Sequence, residues 1–122
     1  MNIYNAMQDS HAPLTQHEYD EWGDMNDKTV LEYIKSYCPY NNLKRQKYPA
    51  MHISIGLRDD KVSPVDVIRY AARVRDYYEG NIALLSIQES ADHYGPGTQI
   101  GQAEEAAKEA AFLDYIVHDV SR

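Results

Sequence analysis

The stretch MHISIGLRDDKVSPVDV, at residues 51–67, decides the fold. Its first part, residues 51–57, alternates apolar and other side chains, which is typical of a β-strand with Ile53 and Ile55 on one face. A charged loop follows. A serine, a proline and an acid within residues 63–66 then form the usual opening of a helix, because they supply a cap, a preset φ and a favourable charge in the first turn. The stretch therefore predicts a strand, a loop and a helix in immediate succession.

Downstream of this stretch the pattern repeats. The helix is predicted to run to about Tyr78, because apolar residues recur at one-turn spacing as far as that residue. A short apolar run at 82–87 is bounded by glycine and polar residues, and is predicted to be a second, buried strand. The loop 89–98 contains His93. An alanine-rich helix from about residue 99 to 120 closes the chain, with a small-residue inner face that predicts close packing.

Upstream, the elements are short. Residues 1–13 lack periodicity and are predicted to be irregular. Thr15 and Thr29 each have a glutamate three residues later, the pattern of a capping box, so each is predicted to start a helix. The second of these helices should stop at Pro39, and a polar loop should follow from 40 to 48.

The fold class follows from the order of elements. Strands that alternate with helices indicate an α/β fold with parallel strands flanked by helices. Two strands do not make an independently stable sheet, and each leaves unpaired backbone groups at an edge. We therefore expect residues 1–122 to be a partial domain with an incomplete sheet, which another protein chain or a second copy of this chain completes.

Composition excludes several classes of function. The 122 residues contain 12 basic and 19 acidic side chains, a net charge of −7, which argues against nucleic-acid binding and against a polybasic membrane anchor. No apolar run is long enough to span a bilayer, and the start of the chain lacks a secretory signal pattern. The lone cysteine, Cys38, favours an intracellular location, either the cytoplasm or the interior of an organelle.

Two residues are candidates for catalysis. Asp59 and His93 follow the two predicted strands, and reactive groups of α/β sheets lie at the carboxyl ends of strands. An acid that orients a histidine is two thirds of a Ser-His-Asp triad, and the order acid then histidine is that of α/β-hydrolases. The alternatives are a solvated loop acid or helix cap for Asp59 and an exposed loop histidine for His93.

A metal site is a further alternative at the same strand ends. Carboxylates and an imidazole suit divalent ions, and this region contains Asp59, Asp60, Glu89, Asp92 and His93. No spacing such as His-x-x-x-His supports it, so we expect neither a metal nor any other cofactor.

Five segments, taken in order, resemble the end of the catalytic domain of the prolyl oligopeptidase family. They are PLTQHEYDEWG at 13–23, YIKSYCPY at 33–40, YPA at 48–50, GLRDDKV at 56–62 and ADHYG at 91–95. The resemblance is strongest to the oligopeptidase B and prolyl endopeptidase-like branches and extends from about residue 7 to the end. It implies the C-terminal portion of an α/β-hydrolase fold, with Asp59 as the triad acid and His93 as the triad histidine.

The nucleophile is the point of departure from that family. The seven serines are Ser10, Ser36, Ser54, Ser63, Ser86, Ser90 and Ser121. None has a glycine both two residues before and two residues after it, as the family's Gly-x-Ser-x-Gly turn requires. We therefore do not expect the chain to be a hydrolase by itself.

Two functions remain open at this point. The chain is predicted to be a truncated hydrolase segment that acts as a non-catalytic interaction or assembly subunit. The alternative is the C-terminal piece of a serine peptidase or esterase that is active only with a partner chain supplying the serine. A fragment of an ordinary enzyme is a third reading, against which the initial Met1 argues mildly.

Overall fold

A computed structural model describes residues 2–9, 17–79 and 82–118. The elements are α1 (Ile3–Ala6), α2 (Tyr19–Trp22), α3 (Lys28–Tyr37), α4 (Pro39–Asn42), β1 (Met51–Gly56), α5 (Pro64–Tyr77), β2 (Ala83–Gln88) and α6 (Gln99–His118). The predicted helix start at Thr15 lies outside the described residues. Within the segment 1–13, which the sequence predicts to be irregular, residues 3–6 form one helical turn.

The sheet has two parallel strands, as the sequence predicts. The prediction that the second strand is buried is wrong within the described residues: no residue of β2 is buried, and Leu84 and Ile87 are each 47% exposed, because little of the described chain covers this strand. β1 pairs with β2 in a register that runs from Met51 opposite Ala83 to Gly56 opposite Gln88. The connecting helix α5 packs against both strands and buries Val67, Ala71 and Val74, three of the four residues of the predicted apolar stripe. The fourth, Tyr78, is not buried and follows the last residue of the helix. The carboxyl ends of the two strands therefore lie side by side.

The N-terminal helices form a separate apolar cluster. Met7, Met25 and Ile34 are buried in it, and Ile34 has no exposed surface at all. Its helix α3 begins two residues earlier than the sequence predicts, because Asp27 is the cap and Thr29 is not. The Asp27 carboxylate accepts a hydrogen bond from the Thr29 N–H at 2.7 Å. The predicted loop after Pro39 also begins with a helical turn, α4, which has proline at its first position.

The last helix, α6, differs from its prediction. It has the predicted start, but none of its described side chains is buried, so the predicted inner face is not packed within these residues. It is tied to the sheet by Ser54, which donates to Glu105 at 2.7 Å, and by the ring contact of His52 with Phe112. Among the described helices, none is long and apolar enough to cross a membrane.

Candidate functional site

Asp59 and His93 meet at the carboxyl end of the sheet. The imidazole Nδ1 of His93 lies 3.1 Å from Oδ2 and 3.2 Å from Oδ1 of Asp59. The two residues are 34 positions apart in the sequence, and each lies a few residues after one of the paired strands. The structure thus brings together the two predicted site residues in a single hydrogen-bonded pair.

The turn after β1 holds the carboxylate of Asp59. Its Oδ1 accepts backbone hydrogen bonds from Lys61 at 2.9 Å and from Val62 at 2.8 Å, and only 7% of its side chain is exposed. Burial by itself raises the pKa of Asp59, but these two N–H donors and the contact with His93 outweigh burial, so the pKa lies below its ordinary value. The carboxylate is therefore charged at neutral pH.

The charge on Asp59 decides the tautomer of His93. An ionised carboxylate only accepts hydrogen bonds, so the imidazole nitrogen that faces it must carry the proton. When the ring is neutral, its other nitrogen, Nε2, is then a proton acceptor. In the part of the chain that is described, Nε2 has no hydrogen-bond partner, and 37% of the His93 side chain is exposed. The ring thus presents an available base on the side away from Asp59.

A tight turn presents His93. Asp92 and Gly95 pair across it through backbone hydrogen bonds of 3.2 and 3.4 Å, and the Asp92 carboxylate accepts from the N–H of Tyr94 at 2.8 Å. Gly95 has a φ of +93°, a conformation that side-chain-bearing residues rarely adopt. The sequence of this turn therefore fixes the backbone from which the imidazole projects.

Close backbone contact joins the two loops. The N–H of Arg58 donates to the carbonyl of Ala91 at 3.0 Å. A Cβ placed on Gly56 would lie 2.3 Å from that same Ala91 oxygen. Only glycine at the end of β1 permits this approach, so Gly56, which the sequence marks only as the end of the strand pattern, contributes to the site by letting the His93 loop reach Asp59.

The pair lies beside two cavities. One, of about 130 Å³, is lined by Asp59, His93 and the ends of both strands. The other, of about 400 Å³, is lined by residues 52–55 of β1 and by Tyr70, and also reaches Asp59 and His93. Four consecutive strand residues line it, so both faces of β1 take part. Among the described strands, β1 pairs with β2 alone, which leaves its other edge without a neighbouring strand.

The other acids considered for a metal site do not form a ligand cluster with the pair in the described part of the chain. Asp60, Glu89 and Asp92 are exposed. Within residues 2–9, 17–79 and 82–118, no three histidine, cysteine or acidic side chains are placed to hold a metal ion.

Two residues of the site escape sequence reasoning. The two residues are Lys61 and Tyr94. The Lys61 side chain reaches from the Asp59 loop to Tyr94, the residue after His93, and contacts the Tyr94 hydroxyl. The sequence contains no signal for this contact apart from the position of each residue one or two places from a candidate catalytic residue.

Comparison with known proteins gives consistent matches over nearly the whole chain. Residues 1–119 match the family model described as the prolyl oligopeptidase family. The chain is 36% identical over 114 residues to dipeptidyl aminopeptidase BI of Pseudoxanthomonas mexicana, a match that covers 93% of this chain and 16% of that protein. It is 32% identical over 126 residues to the prolyl endopeptidase-like protein of Gallus gallus, covering 93% of this chain and 17% of that protein.

The structural match agrees with the sequence matches. Oligopeptidase B from Leishmania major superimposes with a TM-score of 0.85 at 28% identity, covering 91% of this chain and 16% of that structure. This confirms the predicted fold class, a portion of an α/β-hydrolase with few parallel strands and an incomplete sheet. The chain spans about a sixth of the length of the relatives it matches. It belongs to the prolyl oligopeptidase family.

Proposed function

We propose that this chain supplies the acid and the histidine of a serine-hydrolase triad, with Asp59 as the acid and His93 as the base. The observation that carries the proposal is the 3.1 Å contact between Nδ1 of His93 and a buried, ionised carboxylate, which leaves Nε2 available to accept a proton. The nucleophilic serine comes from polypeptide outside these 122 residues, because no serine here has the glycine-flanked turn.

The chemistry is acyl transfer to water. Nε2 of His93 takes the proton of the serine hydroxyl as its oxygen attacks the substrate carbonyl carbon, and the negative charge of Asp59 stabilises the imidazolium. The imidazolium then gives this proton to the leaving group as the scissile bond breaks and an acyl-enzyme remains. In the second half, Nε2 of His93 takes a proton from water as the water oxygen attacks the acyl carbon. The ester bond to the serine oxygen then breaks, the imidazolium returns the proton to that oxygen, and the carboxylic acid product leaves.

The matched relatives favour peptide bonds as the substrate. Two of them are called a dipeptidyl aminopeptidase and a protease, and the structural neighbour is an oligopeptidase. We therefore propose peptide hydrolysis. Hydrolysis of esters or thioesters by the same acyl transfer is the alternative for the prolyl endopeptidase-like branch.

We propose that the serine-bearing polypeptide binds at the edge of β1 that does not pair with β2. Among the described residues, the edge of β1 away from β2 has unpaired backbone groups that a further strand can bond, and the cavity lined by residues 52–55 of β1 also reaches Asp59 and His93. A polypeptide that adds a strand there would place its own loop next to Nε2 of His93. Cys38 is a buried free thiol, which is consistent with a protein located in a reducing, intracellular compartment.

The test is labelling by a fluorescent fluorophosphonate. The chain is combined with a polypeptide that carries the Gly-x-Ser-x-Gly turn, and labelling of that serine is followed with time. We expect labelling that His93→Ala abolishes and that Asp59→Asn slows by up to roughly 10⁴-fold, since the wrong tautomer is then favoured.

A matched control lies on α6. His118 and Asp114 form another histidine–aspartate pair, at 3.5 Å, but both are largely exposed. His118→Ala should leave labelling unchanged. Equal labelling of the His93→Ala and His118→Ala proteins would refute the proposal.

Exposed apolar side chains favour a second candidate, a non-catalytic assembly subunit. Leu84 and Ile87 of β2 are each 47% exposed, and Leu113 and Val117 of α6 are also exposed. Such surface is typical of a protein interface. If assembly is the function, Leu84→Glu dissociates the complex as judged by native mass, whereas His93→Ala changes neither the complex nor its biological role.

A further inference from the structure

We propose that Lys61 and Tyr94 are positioning residues that keep Nδ1 of the His93 imidazole oriented toward the Asp59 carboxylate. The inference rests on the proposed function, because it concerns the orientation of the same imidazole. The contact between Lys61 and Tyr94 is a further bridge between the two loops, besides the Asp59–His93 pair and the Arg58–Ala91 backbone hydrogen bond.

The bridge joins the Lys61 ammonium to the phenol of Tyr94. The ammonium donates a hydrogen bond to the Tyr94 hydroxyl, and its nitrogen therefore lies beside the hydroxyl end of the ring, 4.5 Å from the ring centroid. A hydrogen bond from a charged donor is stronger than one between neutral groups. The hydrogen bond to Tyr94 and the neighbouring carboxylates of Asp60 and Asp59 raise the pKa of Lys61. The ammonium is charged at neutral pH, as an ordinary lysine is.

Both ends of the bridge are anchored by an aspartate in their own loop. The backbone N–H of Lys61 donates to Asp59 at 2.9 Å, and that of Tyr94 donates to Asp92 at 2.8 Å. The two anchors lie in the turns that carry the catalytic candidates. The positions from which the two side chains start are therefore fixed relative to Asp59 and His93.

The bridge acts on His93 through a ring contact. The rings of Tyr94 and His93 meet edge to face, with centroids 5.4 Å apart and planes at 83°. The ring torsion of histidine has broad energy wells, so a hydrogen bond at one nitrogen does not by itself fix the ring. Tyr94, 79% exposed, also needs a restraint, and Lys61 supplies it. The bridge thereby limits rotation of the imidazole away from Asp59.

The test measures the tautomer of His93, which overall stability does not set. Nitrogen NMR of the 122-residue chain, with histidine labelled with ¹⁵N, gives the ratio of the Nδ1–H to the Nε2–H tautomer in alkaline buffer. We expect Nδ1–H to predominate in the unchanged chain. Lys61→Met and Tyr94→Ala should each lower the ratio by roughly two- to fivefold, and Lys61→Arg should retain it, because arginine is also a charged donor of hydrogen bonds to a hydroxyl oxygen.

The control for loss of a lysine is Lys35, which lies near another tyrosine ring. Lys35 is 5.7 Å from the ring of Tyr4, away from the site, and Lys35→Met should not change the ratio. A ratio in Lys61→Met and Tyr94→Ala equal to that of Lys35→Met overturns the inference. Asp59→Asn separates the two proposals. If Asp59→Asn strongly lowers the tautomer ratio of His93 while Lys61→Met does not, only the positioning role of Lys61 and Tyr94 is refuted. If Asp59→Asn leaves the ratio unchanged, the proposed function is refuted as well. Circular dichroism of each variant verifies that it is folded.

Discussion

Replacing Gly56 by alanine should separate the two loops of the site. The added Cβ would lie 2.3 Å from the carbonyl oxygen of Ala91 and 2.8 Å from that of Asp92, and both are backbone atoms that cannot rotate away. Real Cβ atoms essentially never approach another heavy atom closer than 3.0 Å. The backbone that leads to His93 must therefore move by about 0.7 Å or the strand end must bend.

This displacement is large compared with the tolerance of the site. The contact between His93 and Asp59 is already 3.1 Å, and a further lengthening of that size takes it beyond hydrogen-bonding distance. Overpacking of this kind costs about 1–3 kcal/mol of the free energy of unfolding. In urea such a loss lowers the midpoint of unfolding by about 1 M.

Urea unfolding and the tautomer of His93 together form the assay. Gly97→Ala is the matched control, because a Cβ at Gly97 has no neighbour within 4 Å and lies in the same loop region as His93. We expect Gly97→Ala to be neutral or slightly stabilising, since alanine reduces the freedom of the unfolded chain. Gly56→Ala should lower both the midpoint and the Nδ1–H fraction. If Gly56→Ala is as stable as Gly97→Ala and leaves His93 unchanged, the steric argument is wrong.

Two further predictions concern stability. The pKa of Asp59 is lower in the folded chain than its ordinary 3.8, so its ionisation contributes stability that is present above that value and is lost as the pH falls through the folded pKa. Asp59→Asn should therefore reduce the loss of stability that urea unfolding measures between neutral and acidic pH. An unchanged pH dependence in this variant would contradict the pKa assignment of Asp59. Ile34→Ala should lower the free energy of unfolding by about 2–5 kcal/mol in the same measurement, because Ile34 is completely buried in the N-terminal cluster. Val65→Ala, at a residue that is 54% exposed, should lower it far less. Similar losses for the two variants would contradict the packing of the N-terminal cluster.

Local patterns in the sequence predicted most of the elements. The alternation at residues 51–57 and the apolar run at 82–87 correspond to β1 and β2, because the side-chain period of a strand is visible over a few residues. The start of α5 at Pro64 also follows its local signal, although the side chain of Ser63 makes no capping hydrogen bond.

Boundaries set by competition between neighbouring residues were less predictable. Asp27 and Thr29 are both good capping residues two positions apart, and the structure uses the carboxylate of Asp27. The exposed face of α6 was unpredictable for a different reason. Small apolar residues at helical spacing show that a face can pack closely, but they do not show that its partner lies within the same 122 residues.

The sequence by itself determined the order strand, helix, strand and helix from residue 51, and it placed Asp59 and His93 after the two strands. These are consequences of side-chain periodicity and of turn residues, which act over a few positions. Only the tertiary structure decided that the two side chains meet at 3.1 Å, that Gly56 makes room for the His93 loop, and that Lys61 reaches Tyr94. These contacts join residues more than 30 positions apart, and their distances depend on how α5 packs β1 against β2, for which no local pattern exists.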